Sequence, residues 1–479
     1  MHRKLLHIFV FLLISVLGFS QKDAVINFSC AEDLKVERLA GKWEFYWMEL
    51  LTPSQIEKHK NDAILVEVPR SWNKYKIDGQ HLPHYGFATY HVKVIVPQKN
   101  KLYAIKFVDV FSAYKVWVND SFCVEVGKVS DNIKKYRPLK RSEMVGFFAR
   151  SDTVDVVVQI ANYSHKKAGL PAAPFFSYAE KIFKHSILKI VYNFLIFGGL
   201  LIFAIFHFWL FFYRKHYIET LFFALSALAA AFYTFFDQEL IITQFFTNLP
   251  WEIIYKSDYI TNYSRAFFMS LYFYFLVRSY VNKLWKLYAK TILYIMGGII
   301  ALVLVTTVQI YSYTLNLFLL LLGMMYVFGL IGFIKKIIAD REAYGFIPLT
   351  GFIILGLAML NDMFAELHLL PTVELGNVGI FIFVSTQSIT LAQNHSRLYR
   401  TASRLAKHFE RLDTVKRQLL EGSFYGYGDL LTTLHNYFEA DNVYLYTNVN
   451  GQLKLSAAYV YDKGYVDKGE DLAELDKKV

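Results

Sequence analysis

Cysteine is nearly absent, with Cys30 and Cys123 the only two in 479 residues. A disulfide framework and a cysteine-based zinc site are therefore excluded. Charge is scarce too, at 19% Asp, Glu, Lys and Arg, against roughly 25% in globular proteins. Also missing are H-E-x-x-H, G-x-S-x-G, C-x-x-C and the P-loop. Gly426-Tyr427-Gly428 lacks the third glycine of a dinucleotide fingerprint. No nucleophile, base and orienter stand together. No catalytic residue, metal or cofactor is expected, and these residues are not read as an enzyme.

What is abundant is apolar surface: 55% hydrophobic residues, 18% aromatic, and a mean hydropathy of +0.29. Disorder and a fibrous chain are ruled out. The length allows two or three domains at ~100–200 residues each. Lys and Arg exceed Asp and Glu by 51 to 40, a net +11, and the placement of those charges decides between nucleic acid and membrane as partner.

His2, Arg3 and Lys4 precede an apolar run from Leu5 to Phe19. This reads as a secretory signal peptide over 1–20, with a retained anchor as the alternative. Either one sends the following residues across the membrane. Seven spans are then predicted at 190–213, 217–236, 263–281, 287–309, 314–334, 343–364 and 373–394. The third is the weakest, bracketed by Arg265 and Arg278. Arg214, Lys215, Arg278, Lys283, Lys286, Lys290, Lys335, Lys336 and Arg341 fall in alternate connections, whereas the others hold Lys256 and a boundary Arg265. The positive-inside rule places residues 22–185 outside and everything after Asn394 in the cytoplasm, in a bacterial inner membrane. The basic excess is thereby explained, and no nucleic acid partner is expected.

Residues 21–182 read as β-structure. Ala63–Val68, Ala88–Val96, Leu102–Val108, Ala113–Val118 and Thr153–Ile160 are short runs rich in Val, Ile, Tyr and Phe, separated by turn residues. A sandwich of jelly-roll type is expected. Gly41-Lys42-Trp43-Glu44-Phe45-Tyr46-Trp47, Val68-Pro69-Arg70-Ser71-Trp72, Tyr85-Gly86-Phe87-Ala88-Thr89-Tyr90, Ala113-Tyr114-Lys115-Val116-Trp117-Val118-Asn119-Asp120 and Val158-Gln159-Ile160-Ala161-Asn162-Tyr163 follow in order. Together they resemble the galactose-binding-like jelly roll of family 2 glycoside hydrolases. They are still more similar to the outer domain of bacterial seven-transmembrane receptors with diverse intracellular signalling modules. The resemblance spans about residues 22–395 and implies a sandwich sensor, seven helices and a variable cytoplasmic output.

Trp43, Trp47 and Trp117 sit in strand-like runs and are expected in the core. Trp72, Tyr85, Arg137 and His165 fall at loop ends, where they form the candidate ligand site or stand as ordinary loop residues. A saccharide is one candidate ligand, since aromatic faces with a few polar groups suit it. Cys30 and Cys123 lie on the oxidising side and are either bridged or buried as free thiols. Within the spans Asn193, His207, Asn316, Asn361 and Asp362 are singled out as polar residues, and Asp362 is the acid among them. An intramembrane carboxylate faces a bundle interior, a cavity or an interface.

Leu391, Leu398, Leu405, Leu412 and Leu419 recur every seven residues. With Ala402 and Phe409 in the companion positions, residues 395–421 read as a parallel coiled coil, or else as a lone packed helix. The coil makes the protein a homodimer through Leu398, Leu405, Leu412 and Leu419. His408 lacks a phosphoacceptor context. Residues 422–479 follow with a helix at Gly428–Phe438, a strand at Asn442–Thr447, an Asn450-Gly451 turn and a return strand at Gln452–Tyr461. They resemble the start of a GAF domain, with a PAS-like module as competitor, and are read as a truncated GAF-like module.

The fold class is thus a multidomain membrane protein: jelly-roll sandwich, seven-helix bundle, coiled coil and partial α/β GAF-like module. The function expected is a transmembrane receptor that passes a small-ligand signal to a cytoplasmic partner or downstream domain. The alternative is a transporter or membrane-embedded enzyme with an accessory carbohydrate-binding domain. A transporter needs convergent polar groups at mid-depth, which this bundle lacks in sequence.

Overall fold

The computed structural model describes residues 24–31, 33–213, 218–236, 240–246, 249–340, 346–366, 375–420, 426–438, 440–449, 452–460 and 464–467. The apolar run at 5–19, the connecting residues Arg214, Lys215 and Arg341, and the Asn450-Gly451 turn lie outside the described residues. The chain divides between Ser388 and Ile389 into two compact units, described separately.

Period-two alternation builds the sandwich. Its strands are β1 (Val25–Asn27), β2 (Gly41–Trp47), β3 (Ile64–Val68), β4 (Gly86–Ile95) and β5 (Lys101–Phe107), then β6 (Ala113–Val118), β7 (Ser121–Val126), β8 (Glu143–Ala149), β9 (Thr153–Asn162) and β10 (Phe175–Tyr178). In β4, Ala88, Tyr90, Val92 and Val94 are fully buried toward the facing sheet, while Thr89 and His91 occupy the other face. One sheet runs β7-β6-β9-β4-β2-β3, with β1 parallel alongside β4. The other runs β8-β5-β10 and ends on the pair Glu37–Arg38. Trp43, Phe45 and Tyr90 of the first meet Tyr103, Ile105, Phe107 and Phe176 of the second in one core. This arrangement fits the jelly roll.

Two local features follow from that packing. Gly169 adopts φ +78°, and a Cβ there would collide with the Tyr90 hydroxyl and crowd Trp72, so only glycine fits. On the outer face, His91 Nδ1 lies 2.7 Å from Glu44 Oε2 and its Nε2 lies 3.0 Å from Asp155 Oδ1. Burial alone would lower the imidazole pKa. Hydrogen bonds to Asp155 and Glu44 overcome that and hold it raised. Cys30 and Cys123 are both free thiols, so no bridge joins them, but Cys30 is exposed and Cys123 only half-buried, which departs from the buried setting the sequence suggested.

The bundle grows directly from the sandwich, since α1 (Ala179–Tyr213) starts on the residue after β10. Ala104, Val108 and Phe175 pack against Ile182 of α1, and Lys106 Nζ donates to Ser186 Oγ at 2.7 Å. Then come α2 (Ile218–Tyr233), α3 (Trp251–Val277), α4 (Lys283–Val305), α5 (Leu315–Asp340), α6 (Phe346–Glu366) and α7 (Gly376–Leu420). Among the described residues, five stretches are long and apolar enough to cross a membrane: Ala179–Tyr213, Ile218–Phe236, Lys283–Val305, Val308–Ala339 and Ile347–Phe364. α3 and α7 are not among them. α3 carries Glu252, Lys256, Asp258 and Arg265, and it starts at Trp251, well before the 263 expected from hydropathy. Asp362, the acid flagged within the sixth span, accepts the Leu375 and Gly376 amides at 2.7 and 2.8 Å. It satisfies orphan donors at the start of α7 and opposes the positive end of its dipole.

In the second unit, α8 (Tyr427–Phe438) packs on an antiparallel sheet of β11 (Asn442–Val449), β12 (Gln452–Val460) and β13 (Gly464–Val466). His435 stacks on Tyr459 at 4.2 Å.

Trp72 belongs to the sandwich core. It is fully buried, its ring lies 5.4 Å from Trp47, and its indole N–H donates to Pro83 O at 3.0 Å. Trp72→Ala should cost about 3–5 kcal/mol, read as a lower urea midpoint for the 22–180 segment. An unchanged midpoint would remove Trp72 from the core.

Candidate functional site: the seam between sandwich and bundle

Asn162, the last residue of β9, organises the loop that follows. Its Nδ2 donates to His84 O at 2.9 Å and to His165 O at 2.8 Å, and its Oδ1 accepts from Ser112 Oγ at 2.7 Å. Three loops are thereby held together: 83–85, 108–112 and 163–168. Their tips meet α3 and the connection between α4 and α5.

The contact is apolar at its centre. Phe111 is buried in the bundle's own cluster with Trp251, Tyr255 and Tyr263. His165 lies 4.5 Å from the Phe111 ring and 5.2 Å from that of Tyr255, and Trp251 lies 4.2 Å from Tyr255. A charged pair borders this centre. Lys140 Nζ donates to Asp258 Oδ2 at 2.8 Å and sits 4.4 Å over the Tyr255 ring. The two side chains are only 9% and 18% exposed. Desolvation makes such a pair costly to form and costlier to break, by roughly 3–5 kcal/mol when one partner is removed. At the far side Gln309 Nε2 donates to Tyr163 O at 3.0 Å. His84 meets Tyr313 edge-on at 5.7 Å, and the Lys166 ammonium lies 5.3 Å over the same ring.

The four sequence candidates separate. His165 is fully buried in the seam. Its Nδ1 accepts the Lys167 amide at 2.9 Å, and its Nε2 has no hydrogen-bond partner among the described residues. Burial, with Lys167, Lys140 and Lys166 around it, pushes its pKa well below the usual 6.5. Tyr85 reaches the seam's edge, where burial and then Tyr313 raise its phenol. Arg137 wraps on its own loop, donating from Nη1 to Lys134 O and Tyr136 O at 2.8 Å each. Trp72 lies in the core, a position its Val-Pro approach did not reveal. His165 and Tyr85 therefore lie on the same seam, one at its centre and one at its edge, whereas Trp72 and Arg137 lie apart from it. Phe111, Lys140, Asn162, Trp251, Tyr255 and Asp258 were missed. Trp251, Tyr255 and Asp258 keep helical spacing, a readable signal that the hydropathy window began too late to include.

A β-sandwich seated on apolar helices defines a multidomain membrane protein. Within it, residues 189–394 match the family model described as 7TM diverse intracellular signalling. That is the family the motifs resembled, and the match covers the helical region. No curated protein matches the chain. Solved structures similar to part of it include the Ruminococcus gnavus beta-glucuronidase, at 14% identity over 29% of this chain and 27% of that one, with a TM-score of 0.23. An uncultured Clostridium sp. beta-glucuronidase matches at 15% identity over 30% and 29%, with a TM-score of 0.24. The chain spans less than a third of either enzyme, and at those TM-scores the likeness carries no argument.

The neutral His165 gives the seam a pH dependence. Undocked and exposed, the imidazole would titrate near its ordinary 6.5; docked, it binds fewer protons in that range. Docking should therefore weaken as pH falls from about 6.5 toward the depressed value. Amide exchange of residues 163–168, corrected for intrinsic rate, should rise between pH 7.5 and pH 5.5 in nanodiscs. His165→Gln should remove that rise. Equal acid sensitivity in the variant would take His165 out of the effect.

Proposed function

We propose that the chain is a ligand-gated signalling receptor whose sandwich senses a small molecule and passes the signal through the seam into the bundle. The observation that carries this reading is the Lys140–Asp258 pair, with Phe111 sunk into the bundle's aromatic cluster. A sandwich that merely tethered a carbohydrate would need no side chain inside the membrane body. A ligand that prefers one docking arrangement over another shifts the bundle by that difference in affinity.

The sandwich is assigned to the outside and the C-terminus to the cytoplasm. Supporting this, the seam uses 251–258 and 309–313, whereas Arg278, Lys283, Lys286, Lys335 and Lys336 gather at the opposite helix ends. A saccharide is the ligand class we favour, since the loops at the seam bring Tyr85, His84, Tyr163 and Lys166 to one rim. The output leaves along α7, continuous as helix to Leu420. Leu405 is 55% exposed in the single chain, as are Phe409 at 62% and Tyr399 at 77%, and a second copy packed as a parallel coil would cover such a stripe. The side chains of Leu398, Leu412 and Leu419 lie outside the described residues. We read α8 and its sheet as the start of a GAF-like module that drives a cytoplasmic partner or a downstream domain.

Glycan-array screening of the nanodisc-embedded chain should return saccharide hits. With Ala402→Cys as a reporter, a hit should change the rate of crosslinking between chains at least threefold, while Arg404→Cys crosslinks poorly throughout. Hits that leave the crosslinking rate unchanged would reduce the sandwich to an accessory binding domain.

A further inference from the structure

One stripe of α3 touches both the sandwich and α7. Trp251, Asp258, Arg265 and Tyr272 are spaced seven apart, which keeps them on one face with a drift of about 20° per step. Trp251 and Asp258 lie in the seam. Arg265, about 10 Å further along at 1.5 Å per residue, donates from Nη1 to Asn377 Oδ1 at 3.3 Å, in the first turn of α7. Tyr272 then donates to Gln387 Oε1 at 2.9 Å, both side chains being buried, and its neighbour Phe273 lies 5.6 Å from Phe383 of α7.

Arg265 is an expensive residue to keep. Its guanidinium lies 4.1 Å over the Tyr233 ring of α2 and its Nε donates to Asn262 Oδ1 at 3.0 Å. Among the described residues no carboxylate stands within ion-pair distance of it. A cation held at a membrane span by neutral acceptors and a ring costs free energy that a neutral side chain would avoid. Aliphatic residues would pack the same gap between α2, α3 and α7. What an aliphatic residue cannot do is fix the register of α3 against a polar group on α7. The first turn of α7 is held from α6 as well, through the Asp362 carboxylate on the Leu375 and Gly376 amides. Arg265 thus acts on a helix end that is already clamped on its other side.

We propose that α3 is the strut that carries movement of the sandwich to α7, and that Arg265 is its positioning residue. The proposal deepens the receptor reading and rests on it. A shift of the sandwich rocks α3 through Asp258 and Tyr255. Arg265 and Tyr272, rigidly placed on the same stripe, carry that shift to Asn377 and Gln387. The charged and aromatic content of α3, which makes it the poorest span by hydropathy, is the set of groups this task requires.

The test is hydrogen–deuterium exchange of the full chain in nanodiscs, read on the α7 amides from Val378 to Val384. Lys140→Glu places two carboxylates face to face in the seam and should speed that exchange at least threefold. Arg265→Met should speed it comparably, and in the Arg265→Met background Lys140→Glu should add nothing. The exchanged pair Lys140→Glu with Asp258→Lys should return the parent rate, which separates loss of the pair from misfolding. The proposal falls if Lys140→Glu leaves α7 unchanged, if the two effects simply add, or if the exchanged pair fails to restore the rate. Such a failure leaves the receptor reading standing, because ligand-dependent crosslinking at Ala402→Cys tests that separately.

Discussion

Everything beyond the sandwich depends on the burial of Lys140 against Asp258 over the face of Tyr255. Two charges taken out of water must repay their desolvation through geometry, and this pair does so with a 2.8 Å hydrogen bond and an aromatic face. The apolar plug beside it, Phe111 among Trp251 and Tyr255, excludes the water that would screen the pair. Neither part is worth much alone: an exposed ion pair is nearly neutral in free energy, and one buried ring is an ordinary contact. Joined, and combined with the linker-free passage from β10 into α1, they fasten the sandwich to the helices at two places.

That double attachment determines what the molecule can transmit. A sandwich held only by its chain connection would swivel, and ligand binding would then move nothing below it. Held at α1 and at α3, and touching the connection between α4 and α5, it shifts only by moving those elements. α1 presents a largely apolar face outward, with Leu195, Ile202, Trp209 and Phe212 exposed as expected of a lipid-facing surface. α3 is packed between its neighbours, with eleven buried residues from Trp251 to Val277. The inner helix, not the outer one, can therefore pass a displacement onward.

Much of the fold was legible in the sequence because it rests on local periodicity. Alternation in 88–94 and 153–160 marks strands, and uncharged runs such as 291–334 mark spans, since those patterns answer to the local solvent alone. The site was less legible. His165 and Tyr85 stood out as aromatic and titratable residues in loops, yet nothing in their neighbours says that a second body covers them. Trp72 looked like a loop tryptophan because burial there comes from Trp47 and Gly169, distant in sequence. α3 was cut short because hydropathy counts Glu252, Lys256 and Asp258 as exits from a membrane. Their partners, Val308, Leu304 and Lys140, are supplied by other elements.

The sandwich is seated on α3 at Lys140 and Asp258. In a Cys30→Ser, Cys123→Ser background, the pair Lys140→Cys and Asp258→Cys can be treated in native membranes with a short bifunctional thiol reagent. Rapid, near-complete intramolecular crosslinking is the predicted result, against little or none when Asp258→Cys is paired with Phe148→Cys on the exposed face of β8. Equal rates for the two pairs, or none for either, would contradict a seated sandwich.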